Sequence, residues 1–220
     1  MTILAVTGML REANIVKRAG VMAIACGGDI AELRTALRDI GEVDGVISIG
    51  IAGGLAPGLK PGSCVLATEV VDDPDRFGTD GAWREAMRAK LPHAMLEPIA
   101  GTNVILATTK AKESSRRATG AAAADVESHI AARFAEERKI PFAALRVIAD
   151  PAESTLPPAA RNALARDGTI DYGAVLRSVL QNPGQIPALM RTARESEIAF
   201  AELLRCVRAL GDRLAAPDFG

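Results

Sequence analysis

The chain has 220 residues, of which 49% are apolar, 24% charged and 3% aromatic, with 26 Lys and Arg against 27 Asp and Glu for a net charge of -1. That is the composition of one globular domain, long enough to bury a core without disulfides or a structural metal. A balanced charge with no cluster of Lys and Arg excludes a nucleic-acid partner, because such binding rests on neutralising phosphates.

The first apolar run, Ile3–Thr7, lacks a basic leader and meets Arg11 and Glu12 at once, so it reads as a strand and not a signal peptide. Further strands are expected over 21–25, 45–49, 63–71, 103–107 and 142–148. Between them, Asp29 caps a helix over 29–36 in which Ile30, Leu33 and Leu37 share a face. Trp83 lies in the stretch 72–92 and serves either as a packing plug or as cover for a pocket. The adjacent Arg116 and Arg117 read as a solvated helix face. The tract Ala121 to Ala124 is small enough to let a loop approach the sheet closely. A second helix over 127–138 places Ile130, Ala131 and Phe134 on one side and Arg133, Glu136 and Glu137 on the other. Pro151, Pro157 and Pro158 then interrupt the chain. The stretch 185–214 is expected to be helical, with Leu189, Ala193, Ile198, Leu203, Val207 and Leu210 as its apolar positions, packed on the sheet.

Strands alternating with helices give an α/β domain spanning 1–220, with a central mixed twisted sheet flanked by helices. Its core lies in 1–150 and a helical segment fills 151–220, which is too short to form a core of its own. Cys26, Cys64 and Cys206 show no CxxC spacing and suit a reducing, cytoplasmic setting. No apolar run approaches the ~20 residues of a membrane span. His93 and His129 are too few for a histidine metal site, so no metal and no cofactor are expected. His129 is expected on a helix surface or in a buried hydrogen bond.

Chemistry is concentrated in two features. The run from Ser48 to Gly62 holds Gly50, Gly53, Gly54 and Gly58 directly after a strand, where missing Cβ atoms let backbone approach a ligand. It matches neither a P-loop nor a dinucleotide fingerprint, and it serves plain turn geometry equally well. Glu12, Glu127 and Asp150 follow strands or open helices, and a desolvated acid at a strand end has a raised pKa suited to proton donation. Each has a plainer reading: Asp150 as a turn residue before Pro151, Glu127 as a first-turn carboxylate favoured by the helix dipole, Glu12 as a surface charge.

The segments Gly50 to Gly62, Asp125-Val126-Glu127-Ser128 and Arg146-Val147-Ile148-Ala149-Asp150, in that order and with Glu127 and Asp150 23 residues apart, resemble the nucleoside phosphorylase and methylthioadenosine/adenosylhomocysteine nucleosidase superfamily. Within it the chain is most similar to hopanoid-associated phosphorylases, whose substrate is adenosylhopane. The resemblance implies cleavage of the N-glycosidic bond of a purine nucleoside, a 5′-substituted adenosine first. Asp150 matches the acid at purine N7, and Glu127 matches the carboxylate that holds the ribose hydroxyls. Val126 stands where the family has Met, and Ile51, Gly53 and Gly54 fall in the substrate-contacting segment. Glu12 matches the base that activates water. For a phosphorylase, with phosphate as co-substrate, Gly8, Arg11 and Arg18 are the candidate anion ligands. Ile51 lacks the hydroxyl that related chains carry there, which favours water. A nucleoside-binding module without turnover is the other reading. The resemblance further implies a homodimer or higher homo-oligomer, and a lipid-linked substrate would suit peripheral contact with a bilayer.

Overall fold

The protein is described by a computed structural model covering residues 1–161, 163, 165 and 168–219. In chain order it runs β1 (Ile3–Thr7), α1 (Leu10–Val16), β2 (Met22–Ala25), α2 (Ile30–Arg38), β3 (Gly45–Gly54), β4 (Cys64–Asp72), β5 (Asp75–Gly78), α3 (Gly81–Lys90) and β6 (Met95–Gly101). There follow α4 (Thr109–Thr119), β7 (Ala123–Asp125), α5 (Ser128–Arg138), β8 (Phe142–Asp150), α6 (Pro158–Arg161), α7 (Tyr172–Gln181) and α8 (Ile186–Leu210).

The strands make one mixed sheet in which β3, β8, β4, β6 and β7 pair in a closed ring, while β1 and β2 extend it beyond β3 and β5 extends it beyond β4. Both faces are covered, as the period of two along the strands requires. On β1, Leu4 and Val6 point into a core closed by Leu33 and Leu37 of α2 and Ile130 and Phe134 of α5. Ile3 and Ala5 point the other way, into a core with Trp83, Phe200, Leu203 and Val207. Asp29 caps α2 by accepting from the Ala31 and Glu32 N–H groups. Trp83 is the plug of the second core: it is fully buried and its Nε1 donates to the Leu214 carbonyl.

Several expectations are corrected. The stretch 103–107 is a loop with Val104 67% exposed, and the strand lies earlier at Met95–Gly101, where Pro98 masks it as a strand signal. β3 continues to Gly54, so half of the glycine run is strand. The alanine tract, small enough to let a loop approach the sheet, itself runs into the sheet as β7, which pairs with β3 and β6. Only the second half of α8 carries the expected burial, from Ala199 onward, whereas Ala193 and Ile198 are exposed. His129 is buried but makes no hydrogen bond through either ring nitrogen, and burial lowers its pKa.

Candidate active site

The site forms where β1 ends beside the middle of β3. Gly8, immediately after β1, has no room for a side chain, because a Cβ there would lie 2.5 Å from Glu127 Oε1. Gly50 is constrained in the same way, with Glu12 Oε1 2.5 Å and an Arg146 guanidinium nitrogen 2.7 Å from the missing Cβ. Carboxylates occupy the space these glycines vacate.

Glu12 sits in the first turn of α1 and turns back beneath it. Its Oε2 accepts from the Gly8 N–H at 2.9 Å and the Met9 N–H at 2.7 Å, and its Oε1 accepts from the Ile51 N–H at 2.7 Å. It is 2% exposed, so the surface-charge reading of this residue does not describe it. Burial raises its pKa, while Arg146 and the three N–H groups act against that rise.

Glu127 precedes α5 and is also buried, with Cys26 Sγ 3.8 Å from Oε1 and the Arg146 guanidinium 3.6 Å from Oε2. Burial is the largest influence on its pKa and lifts it to about 8, with Asp125 and Glu12 pushing the same way and Arg146 pulling down. Asp125, at the end of β7, supplies the cap that Glu127 does not. Its Oδ1 accepts from the Glu127 and Ser128 N–H groups at 2.8 and 2.6 Å, and its Oδ2 accepts from Arg146 Nε at 2.8 Å.

Arg146 on β8 therefore lies among three carboxylates with no measurable exposure. Ser48 Oγ accepts from it at 2.6 Å and Ser128 Oγ at 3.2 Å, which fixes the plane of the fork. Sequence reasoning gave Arg146 no role. The available signal was a lone arginine inside an apolar strand, since a charge buried there must be paired.

Asp150 closes the far end of the site. The register between β3 and β8 slips between Ala52 and Gly53, so that Gly53 pairs with Asp150 and not with Ala149. A Cβ on Gly53 would lie 3.4 Å from Asp150 Oδ1. Gly54 is pressed instead against Ile148 and the backbone of Ala152. Lys112 of α4, another residue the sequence did not single out, contacts Asp150 Oδ2 from below. Burial is the largest influence on Asp150 and lifts its pKa to about 6 against the pull of Lys112.

The structure thus gathers Gly8, Glu12, Ile51, Gly53, Glu127 and Asp150 around one strand segment, with Val126 half-buried beside Glu127. It does not bring Arg11 or Arg18 there. The Arg11 guanidinium pairs with Glu197 and stacks 4.0 Å from the Phe200 ring on the outer side of α1. Arg18 is exposed at the end of the turn after α1. No group of three or more potential metal ligands occurs among the described residues. No described helix is long and apolar enough to cross a membrane.

Among solved structures, the chain is similar to the 5′-methylthioadenosine/S-adenosylhomocysteine nucleosidase from Neisseria meningitidis, solved with methylthio-immucillin-A, at 18% identity and a TM-score of 0.67 over 95% of this chain and 97% of that one. It is similar to futalosine hydrolase of Helicobacter pylori strain 26695 at 14% identity and a TM-score of 0.69, over 96% and 97%. The S. pneumoniae 5′-methylthioadenosine/S-adenosylhomocysteine nucleosidase with a transition-state inhibitor matches at 18% and 0.60, over 93% and 100%. These likenesses are of fold. No curated protein matches the chain. The family described as the phosphorylase superfamily matches residues 2–181. With that match spanning both the glycine strand and all three carboxylates, the chain is an enzyme of the phosphorylase superfamily.

Proposed function

We propose that the protein cleaves the N-glycosidic bond of a purine nucleoside, with water as nucleophile. The observation that carries this is the placing of two carboxylates along β3: Glu12 from α1 beside Gly50 and Asp150 from β8 beside Gly53. Three residue steps along the strand set these anchors about 10 Å apart at ~3.3 Å per residue, enough for a sugar and a water between an acid and a base. As the bond from C1′ to the purine loosens, the base accumulates negative charge and the ribose positive charge. Asp150 gives a proton to purine N7. Glu12 takes a proton from the attacking water, and Glu127 binds the ribose hydroxyls.

Water is favoured over phosphate because Arg146, the cation beside Glu12 and Glu127, is already shared among Glu12, Asp125 and Glu127, and Lys112 is taken up by Asp150 and the carbonyls after it. A phosphate dianion would face those carboxylates with neither Arg11 nor Arg18 to offset the repulsion. The substrate we infer is an adenosine with an apolar 5′ substituent, adenosylhopane among them. Exposed Leu10 and Ile170 support it: they lie on segments joined where the Leu10 N–H donates to the Gly168 carbonyl, directly after Gly8 of the site. The neighbours named as acting on methylthioadenosine support the adenosine part.

The test is adenine release by two variants. Asp150→Asn cannot protonate the leaving base and is expected to lose about 10²–10⁴-fold in kcat. Glu127→Gln is expected chiefly to raise KM. Unchanged rates in both would refute the site.

A further inference from the structure

Lys112 lies on α4 with no exposed surface, although its neighbours Lys110 and Glu113 on the same helix face solvent. Burial of an ammonium is costly and persists only where partners replace water. Here they do. Nζ contacts Asp150 Oδ2 and donates to the carbonyls of Pro151 at 2.7 Å, Ser154 at 3.1 Å and Asp150 at 3.4 Å. Two of these acceptors belong to the turn that follows β8, and the other two are the backbone carbonyl and the carboxylate of Asp150, the residue assigned to the purine. An ammonium has three hydrogens, so these acceptors saturate it.

We propose that Lys112 is the positioning residue of Asp150: it locks the carboxyl and the turn 151–154 in place, and it supplies the counter-charge against which Asp150 exchanges a proton with the purine. The proposal rests on the reading of Asp150 as the purine-side acid. Lys112 cannot touch substrate itself, being sealed beneath that carboxylate.

The charge argument has a definite sign. Two influences lift the affinity of Asp150 for its proton, namely burial and Glu195 approaching from α8, and Lys112 from α4 is the cation that opposes them. The balance lies at about 6, close enough to neutral pH for an acid that must both give and regain a proton. Without Lys112 the carboxyl keeps its proton through neutral pH, hydrogen-bonds the purine and transfers poorly.

Lys112→Gln, which keeps an N–H donor for the backbone carbonyls but no charge, and Lys112→Met separate position from charge. Each is read by the pH profile of kcat/KM for adenine release from methylthioadenosine, and by infrared titration of the Asp150 carboxyl, assigned by difference from Asp150→Asn. Both variants are expected to move the carboxyl midpoint and the alkaline limb upward by about one pH unit or more, with kcat down about tenfold or more. Lys112→Arg should leave the midpoint in place. An unshifted midpoint in the Gln variant, or in the Met variant where both fold, would overturn the proposal. If Asp150→Asn releases adenine normally, the acid assignment fails by itself, and the infrared midpoint still decides what Lys112 does.

Discussion

At the scale of single residues, the site is organised by one arginine and the carboxylates crowded against it. Arg146 serves Asp125 fully, Glu127 at 3.6 Å, and Glu12 through its field alone. Two of these carboxyls, Glu12 and Glu127, have pKa values raised chiefly by burial against the pull of Arg146, and a raised pKa suits Glu12 to take up a proton. Glu12→Gln removes the base that accepts the proton of water. It is expected to lower kcat about 10²–10⁴-fold and to abolish the acidic limb of the pH-rate profile, as steady-state rates between pH 4 and 9 would show. A preserved acidic limb would mean that another group takes the proton. The sequence singled out Glu127 and Asp150 by their strand-end positions and 23-residue spacing, and Glu12 only through the resemblance of the run after β1. Arg146 and Lys112 were not legible there, because a charged residue in a strand or helix announces its burial only when the fold supplies a partner from far along the chain.

At the scale of elements, β3 carries the site through its glycines. Gly50 is glycine because the Glu12 carboxylate and the Arg146 guanidinium fill its side-chain space, which a Cβ would enter at 2.5 and 2.7 Å. Gly50→Ala is therefore expected to displace both groups and cost about 10²-fold in kcat/KM, the scale of a misplacement near 1 Å. Gly41→Ala, where a Cβ meets nothing within 4 Å, is the control and should leave the rate unchanged. Equal rates for the two variants would show that the glycine strand is a matter of turn geometry. The glycine run was read as a loop because glycine is a poor strand former. What holds it in the sheet is pairing on both sides, with β8 over Val46 to Gly53 and with β7 at Gly53 and Gly54. β7 itself was hidden for the opposite reason, since alanines carry no β signal and gain their strand from being buried between β3 and β6.

At the scale of the whole molecule, the fold gives up stability to hold these charges. Glu127 and Asp150 have folded-state pKa values near 8 and 6, above the values 4.5 and 3.8 of the free groups. A group with a raised folded-state pKa contributes stability that is present below its unfolded pKa and is lost as pH rises through the folded one. Stability should therefore decline from about pH 4 through 8 on account of these two groups. Thermal unfolding followed across that range should show a falling Tm in the native chain and a shallower fall in Glu127→Gln, which has no such proton to lose. Parallel slopes would place the Glu127 proton elsewhere.

The alternation of strands and helices was enough to give the α/β layering, because each strand with two buried faces needs a helix on either side. The closure of five strands into a ring was not, since it depends on β8 joining β3 to β4 across about a hundred residues of chain. The central claim is that this sheet and its carboxylates cut a purine from its ribose with water. It is tested most directly by adenine release from methylthioadenosine, and from an adenosine bearing a large apolar 5′ group, in buffer free of phosphate and again with phosphate added. The account predicts release without phosphate and no dependence on its addition. Strict dependence on phosphate, or no adenine from either nucleoside under both conditions, would contradict it.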